Sequence, residues 1–153
     1  MKPDPHSEEK EVFAAFITRR HLKRSGQRDV ILDTFLRSDR HVSVEQLLQL
    51  VRKRRADIGR STVYRTLKLL QEAGLAQELP LPGESQFEPD YKRQHHDHFV
   101  CSSCGGISEF TSPEIERIQD EVAARIGFVI QGHRHHIYGL CQRCAARPQQ
   151  ARR

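Results

Sequence analysis

The chain has 153 residues, 37% hydrophobic and 29% charged, and no apolar run approaching the roughly 20 residues of a membrane span; this composition predicts a soluble globular protein and argues against a membrane-spanning one. The first residues, MKPDPHSEEKEVF, are polar and acidic, unlike a secretory signal, so a cytoplasmic protein is expected, with its four cysteines as metal ligands rather than disulfides. Net charge is only +5, but residues 19–68 hold fourteen Lys or Arg against five Asp or Glu, a local +9 that attracts polyanions unless these are simply the solvated faces of ordinary helices.

In EKEVFAAFITRRHL, Val12, Phe13, Phe16 and Ile17 recur at helical spacing, and GQRDVILDTFLRS repeats the pattern with Val30, Ile31, Thr34 and Phe35. In SVEQLLQLVRKRR, Ser43 with Gln46 three residues on predicts a capping box, and Leu47, Leu50 and Val51 give the helix an apolar side. GRSTVYRTLKLLQEAGL predicts a fourth helix, capped by Ser61 or Thr62 and ended by a left-handed Gly74. LAQELPLPGESQFEP then alternates apolar and polar around Pro82-Gly83-Glu84, which predicts a hairpin. Helices followed by a hairpin, with the third and fourth helices joined through ADIG, predict a winged helix-turn-helix domain over residues 1–88. In such a domain the helix from Ser61 enters the major groove. Ser61, Thr62, Tyr64 and Arg65 are the candidate contacts at its start, and Arg19, Arg20, Lys23, Arg24 and Arg28 are candidates to follow the phosphate backbone. Helix packing is the other reading of Tyr64, and the core is the expected place of Val63 and Leu67.

Residues 89–94 read as a hinge. Beyond it, HHDHFVC and GISEF predict short strands, SPEIERIQDEVAARIG predicts one helix with Ser112 as cap and Pro113 at its first position, and FVIQGHRHHIYGLC predicts a further strand. Residues 95–145 therefore form a small α/β domain that cannot bury much surface alone, which predicts a homodimer. Residues 146–153 are expected to be a disordered tail. The fold class is α+β, a winged helix-turn-helix domain followed by an α/β dimerisation domain.

HHDHFVCSSC, residues 95–104, carries more ligand types than one ion can use. Cys101-Ser-Ser-Cys104 and Cys141-Gln-Arg-Cys144 have the spacing at which two turns bring four thiolates to one zinc; a redox disulfide is the rival. With all four positions filled by protein, that ion would be structural. On a strand, successive side chains face opposite ways, so His96 and His98 share one face and His95 and Asp97 the other. Each pair needs partners, and Glu88, Glu109, Glu116, His133, His135, His136 and His41 are the candidates. For His135 and His136 a plain surface role stands beside a ligand role.

HVSVEQLL at 41–48, GRSTVYRTLKLLQEAGL at 59–75, HHDHFVCSSCGGISEF at 95–110 and HRHHIYGLCQRC at 133–144 together resemble the ferric uptake regulator family of bacterial metal-responsive repressors, over roughly residues 20–145. The resemblance implies a regulatory metal site of His41, Glu88, His96, His98 and Glu109, a second site of His95, Asp97, Glu116 and His133, and a structural zinc on the four cysteines. It implies a repressor, not an enzyme, that binds palindromic double-stranded DNA as a dimer when the regulatory metal is bound. Glutamates at 88 and 109, where peroxide-sensing members usually carry aspartates, lean towards iron or zinc, with Fe²⁺ the expected regulatory ion and Zn²⁺ or Mn²⁺ the alternatives. A zinc hydrolase needs an open coordination position and a base, and no HExxH is present; a metal buffer would not need a helix-turn-helix.

Overall fold

Phe13, Phe16 and Ile17 are buried on one side of α1 (Ser7–Arg19), as their spacing requires. The computed structural model describes residues 4–38, 41–81 and 83–146, so Pro82 of the expected turn and residues 147–153 of the expected tail lie outside the described residues. The chain divides into two units, Met1–Arg93 and Gln94–Arg153.

In the first unit, α1 is followed by α2 (Gly26–Leu36), β1 (Val42–Ser43), α3 (Val44–Arg52), α4 (Arg60–Glu72), β2 (Ala76–Leu79) and β3 (Gln86–Pro89). The strands form an antiparallel sheet in the order β1-β3-β2, with Val42 opposite Phe87 and Gln77 opposite Glu88. The hairpin is the wing, and β1, which the sequence pattern did not predict, adds an edge to it. Ile31, Phe35, Leu47, Val63, Leu67 and Phe87 are fully buried where helices and wing meet. Each such side chain stabilises the fold by about 1.5–3 kcal/mol relative to exposure.

The capping box of α3 forms as expected: Ser43 Oγ accepts the Gln46 N–H, and Gln46 Oε1 accepts the Ser43 N–H at 2.8 Å. Helix α4 begins earlier than expected. Its N-cap is Gly59, whose carbonyl already accepts the Thr62 and Val63 N–H groups at 3.0 and 3.2 Å, and no side chain caps it. Neither Ser61 nor Thr62 therefore serves as cap, because both lie inside the first turn. Gly74 does take the left-handed conformation, at φ +72°.

Asp33 on α2 ties three helices together. It is 8% exposed, accepts Arg37 Nε and Nη2 at 3.0 and 3.2 Å, accepts Arg54 Nη1 from beyond α3 at 2.7 Å, and pairs with Lys10 from α1. The Arg37 hydrogen bonds, then those of Lys10 and Arg54, overcome burial and hold its carboxyl far below the usual carboxylate range. A folded-state pKa below the unfolded value near 3.9 gives stability that is present above that value and lost as pH falls towards the folded one.

The second unit contains β4 (Asp97–Cys101), β5 (Ile107–Phe110), α5 (Pro113–Ile126), β6 (His136–Gly139) and α6 (Gln142–Ala145). Its sheet has the order β5-β4-β6, with β4 antiparallel to β5 and parallel to β6. Ser112 caps α5 with Pro113 in its first turn, as expected, and Gly127 ends it at φ +72°. The last strand is shorter than FVIQGHRHHIYGLC predicts: only His136–Gly139 pair, because a parallel partner is offered by β4 alone and Phe128–Arg134 run ahead of it. The short α6 was not anticipated either. On α5 only Ala123 is buried, while Ile118, Val122 and Ile126 at four-residue spacing are exposed.

Replacing Asp33 with Asn is expected to lower stability by about 2 kcal/mol at pH 7, towards the low side for a broken buried pair because Arg37 and Arg54 are half exposed. Urea denaturation should show that deficit shrinking as pH is lowered below about 4; an equal deficit at pH 3 and pH 7 would contradict this assignment.

Candidate metal centres

The parallel ladder of β4 and β6 sets Cys101 opposite Gly139, two residues before Cys141. A turn through Gly105, whose N–H donates to the Cys101 carbonyl at 2.9 Å, brings Cys104 back, and α6 returns Cys144. The four sulfurs lie within 4.8 Å of one another, with Cys104 and Cys141 at 3.9 Å and all four thiols free of disulfides. A tetrahedral zinc with bonds of about 2.3 Å spaces its sulfurs by about 3.8 Å, whereas a disulfide needs about 2.05 Å. The Cys141 N–H donates to Cys101 Sγ at 3.3 Å, and this hydrogen bond leads in pulling the Cys101 thiol down to about 6. The donor set fits zinc with no position left open.

A second cluster forms in the same unit. His95 arrives from just ahead of β4, Asp97 from its first position, Glu116 from the first turn of α5 and His133 from the run before β6, and their ligand atoms also lie within 4.8 Å. His95 Nε2 is 3.4 Å from both Asp97 Oδ1 and Glu116 Oε1, and His133 Nε2 is 3.3 Å from Glu116 Oε1 and 3.9 Å from Asp97 Oδ1. Those spacings exceed good hydrogen bonds, yet a tetrahedral ion with bonds of 2.0–2.1 Å has edges of about 3.3–3.4 Å. His133 Nε2 is buried with no hydrogen-bond partner, and Asp97 is 1% exposed. A buried orphan nitrogen facing two carboxylates is what a divalent cation resolves.

The residues expected to hold a regulatory ion are distributed over both units. In the first, His41 lies just before β1 and Glu88 on β3, with His41 Nε2 3.3 Å from Glu88 Oε2. Glu88 is 1% exposed and also accepts Arg93 Nη1 at 2.7 Å, a partner the sequence pattern did not reveal. In the second unit His98 is fully buried on β4 with Glu109 opposite it on β5. The His96 ring meets that of His98 edge-on, with centroids 4.9 Å apart, and His136 stands beside His98 across the parallel ladder. The alternation of faces thus extends ahead of β4: His96 goes with His98, and His95 with Asp97. Each face carries nitrogen and carboxylate donors without sulfur, a set that suits Fe²⁺, Mn²⁺ or Zn²⁺.

On α4, Val63, Thr66, Leu67 and Leu70 face the core. Ser61, Tyr64 and Arg65 are exposed on the opposite side, and Tyr64 keeps 44% of its surface. The core reading holds for Val63 and Leu67, both fully buried. Of the basic residues expected to follow phosphates, Arg19, Lys23 and Arg24 are exposed. Arg20 is exposed as well and donates to Glu72 at 2.7 Å, while the half-buried Arg28 donates to the Lys23 carbonyl at 2.7 Å.

Residues 19–138 match the Ferric uptake regulator family. The ferric uptake regulation protein of Neisseria meningitidis serogroup A is 38% identical over 128 residues, spanning 82% of this chain and 88% of that protein. The Helicobacter pylori ferric uptake regulator, whose structure reveals three functional metal-binding sites, matches with a TM-score of 0.82 at 28% identity, covering 94% of this chain and 96% of that one. The Francisella tularensis ferric uptake regulator with iron matches at 0.72 and 30% identity, over 81% of this chain and 95% of that one. The match runs through the wing, the histidine-rich strand and the last sheet strand alike, and the chain belongs to the ferric uptake regulator family of metal-responsive transcriptional repressors.

Proposed function

We propose that this chain is an iron-responsive repressor of the cytoplasm that binds palindromic operators as a homodimer when its regulatory site is filled. The observation that carries this reading is the placement of sulfur-free ligands on both units: His41 and Glu88 beside the wing, His96, His98 and Glu109 on the sheet of the second unit. These five residues would hold the ion, which supplies a shared coordination centre and no reaction chemistry. Ligands contributed by both units couple the DNA-binding unit to the dimer, so filling the site selects the arrangement that fits two half-sites. The shift is no larger than the difference in metal affinity between competent and incompetent arrangements; a change from 1:99 to 99:1 needs about 5.5 kcal/mol. Iron rather than zinc is supported by the ferric uptake regulation proteins among the relatives, since the donor types accept both ions.

The homodimer is supported by the unpartnered stripe Ile118, Val122 and Ile126 on α5, with Phe128 and Val129 continuing it. Contiguous apolar surface of this kind marks an interface. DNA contact through α4 is supported by its exposed Ser61, Tyr64 and Arg65 and by a first turn whose amides no side chain caps, leaving the helix N-terminus to face phosphate.

Operator binding titrated with buffered Fe²⁺ (without oxygen), Zn²⁺ and Mn²⁺ tests the reading. Fe²⁺ should activate binding at free concentrations found in cells, and the His96→Ala plus His98→Ala variant should lose activation while remaining dimeric. Activation by Zn²⁺ alone would replace iron with zinc sensing, and normal activation of the double variant would reject the site. Arg65→Ala is expected to weaken operator affinity by about 1–3 kcal/mol, visible in an operator titration at fixed salt. Cys101→Ser should release zinc and unfold or monomerise the chain, as followed by zinc content and sedimentation.

A further inference from the structure

Asp97 uses its two carboxylate oxygens differently. Oδ1 faces His95 and His133, and it also accepts the backbone N–H of His135 at 3.1 Å. Oδ2 lies 3.4 Å from Nδ1 of the His135 imidazole. His135 is itself held in register: its carbonyl accepts the His98 N–H at 3.0 Å, one residue ahead of the first ladder pair of β6, His98 with His136. Its ring lies beside that of His133, with centroids 5.1 Å apart, because residues two apart on extended chain share a face. Asp97 is 1% exposed, so the protein groups around it decide which oxygen an ion can reach.

We propose that His135 is a positioning residue for the second metal centre: its imidazole N–H engages Asp97 Oδ2 and its backbone N–H steadies Oδ1, so that Asp97 ligates through Oδ1 alone. The inference rests on reading His95, Asp97, Glu116 and His133 as a metal site. Its consequence is coordination number. With the imidazole beside Oδ2, Oδ1 is the oxygen turned to His95 and His133, and four single-atom donors at tetrahedral spacing hold a four-coordinate ion. Outer partners of this kind set the orientation of a ligand and commonly change metal affinity by about 10–100-fold when removed. Neither the cluster of ligands nor the spacing in the sequence distinguishes His135 from His136; the hydrogen bond and the approach to Oδ2 do.

The test uses the full chain with zinc in its cysteine site and Co²⁺ as the probe. Competition against a chromophoric chelator measures affinity, and the visible absorption of Co²⁺ reports its geometry. His133→Ala should lose one Co²⁺, which identifies the centre. His135→Leu should bind that Co²⁺ about 10–100-fold more weakly, with the strong tetrahedral absorption replaced by the weak bands of higher coordination. His135→Gln, whose side-chain N–H can still reach Oδ2, should recover most of the affinity and the tetrahedral spectrum. If His133→Ala loses no ion, the centre and this role both fall. If His133→Ala loses it while His135→Leu keeps wild-type affinity and spectrum, the role alone falls. Equal loss in the Leu and Gln variants would also overturn it, since packing rather than donation would then be at work.

Discussion

The parallel pairing of β4 with β6 is the constraint on which the second unit depends. Parallel strands need a long crossover, and here that crossover carries β5 and α5. Once the ladder forms, three separate chemistries come into register. Cys101 reaches the level of Cys141, His98 stands beside His136, and Asp97 faces the run holding His133 and His135. None of these pairs is close in sequence. Loop closure over such separations is costly in entropy, and the unit recovers little of it from a core, since Val100, Cys101 and Ala123 are its only buried apolar residues among those described. An ion held by the four cysteines would therefore add to what this unit folds with, and the exposed apolar stripe of α5 would add its share only if a partner covered it.

The first unit rests on different physics. Its core interlocks helices and wing through fully buried Phe, Leu, Ile and Val side chains. Into that apolar frame is set the buried carboxylate of Asp33, which collects cations from three helical segments. A buried charge of this sort contributes less to stability than to arrangement, because apolar replacements of similar volume are often as stable. Its place fixes α1 against α2 and the end of α3 and thereby gives the N-terminal helix a structural attachment within the DNA-binding unit.

Much of this was legible in the residues. Helical spacing located all four helices of the first unit, and Ser43 with Gln46 announced a cap that forms as drawn. The two CxxC pairs and the parity of HHDH separate three groups of ligands from sequence alone, because turn spacing and strand alternation are local rules. What the sequence did not reveal was long-range or set by small differences in backbone. The start of α4 moved to Gly59 since helix entry depends on where the first carbonyl is used, not on which hydroxyl is nearest. The last strand shrank to four residues because its length is set by its neighbour. Arg93 on Glu88 and His135 on Asp97 are contacts between residues with no shared pattern.

The burial of both Asp97 and His98, neighbours in β4 that point to opposite sides of the sheet, has one more consequence. Along residues 95–98, the face to which each candidate ligand belongs is carried by whether its number is odd or even, not by which residue types are present. One residue inserted between His98 and Cys101 would leave composition, ligand count and strand propensity almost untouched. It would nevertheless exchange the faces of everything beyond it, separating the thiols from the partners that complete their site. For this strand, reading frame in the structural sense matters more than any single side chain, and changes in length are the least tolerable changes it can undergo.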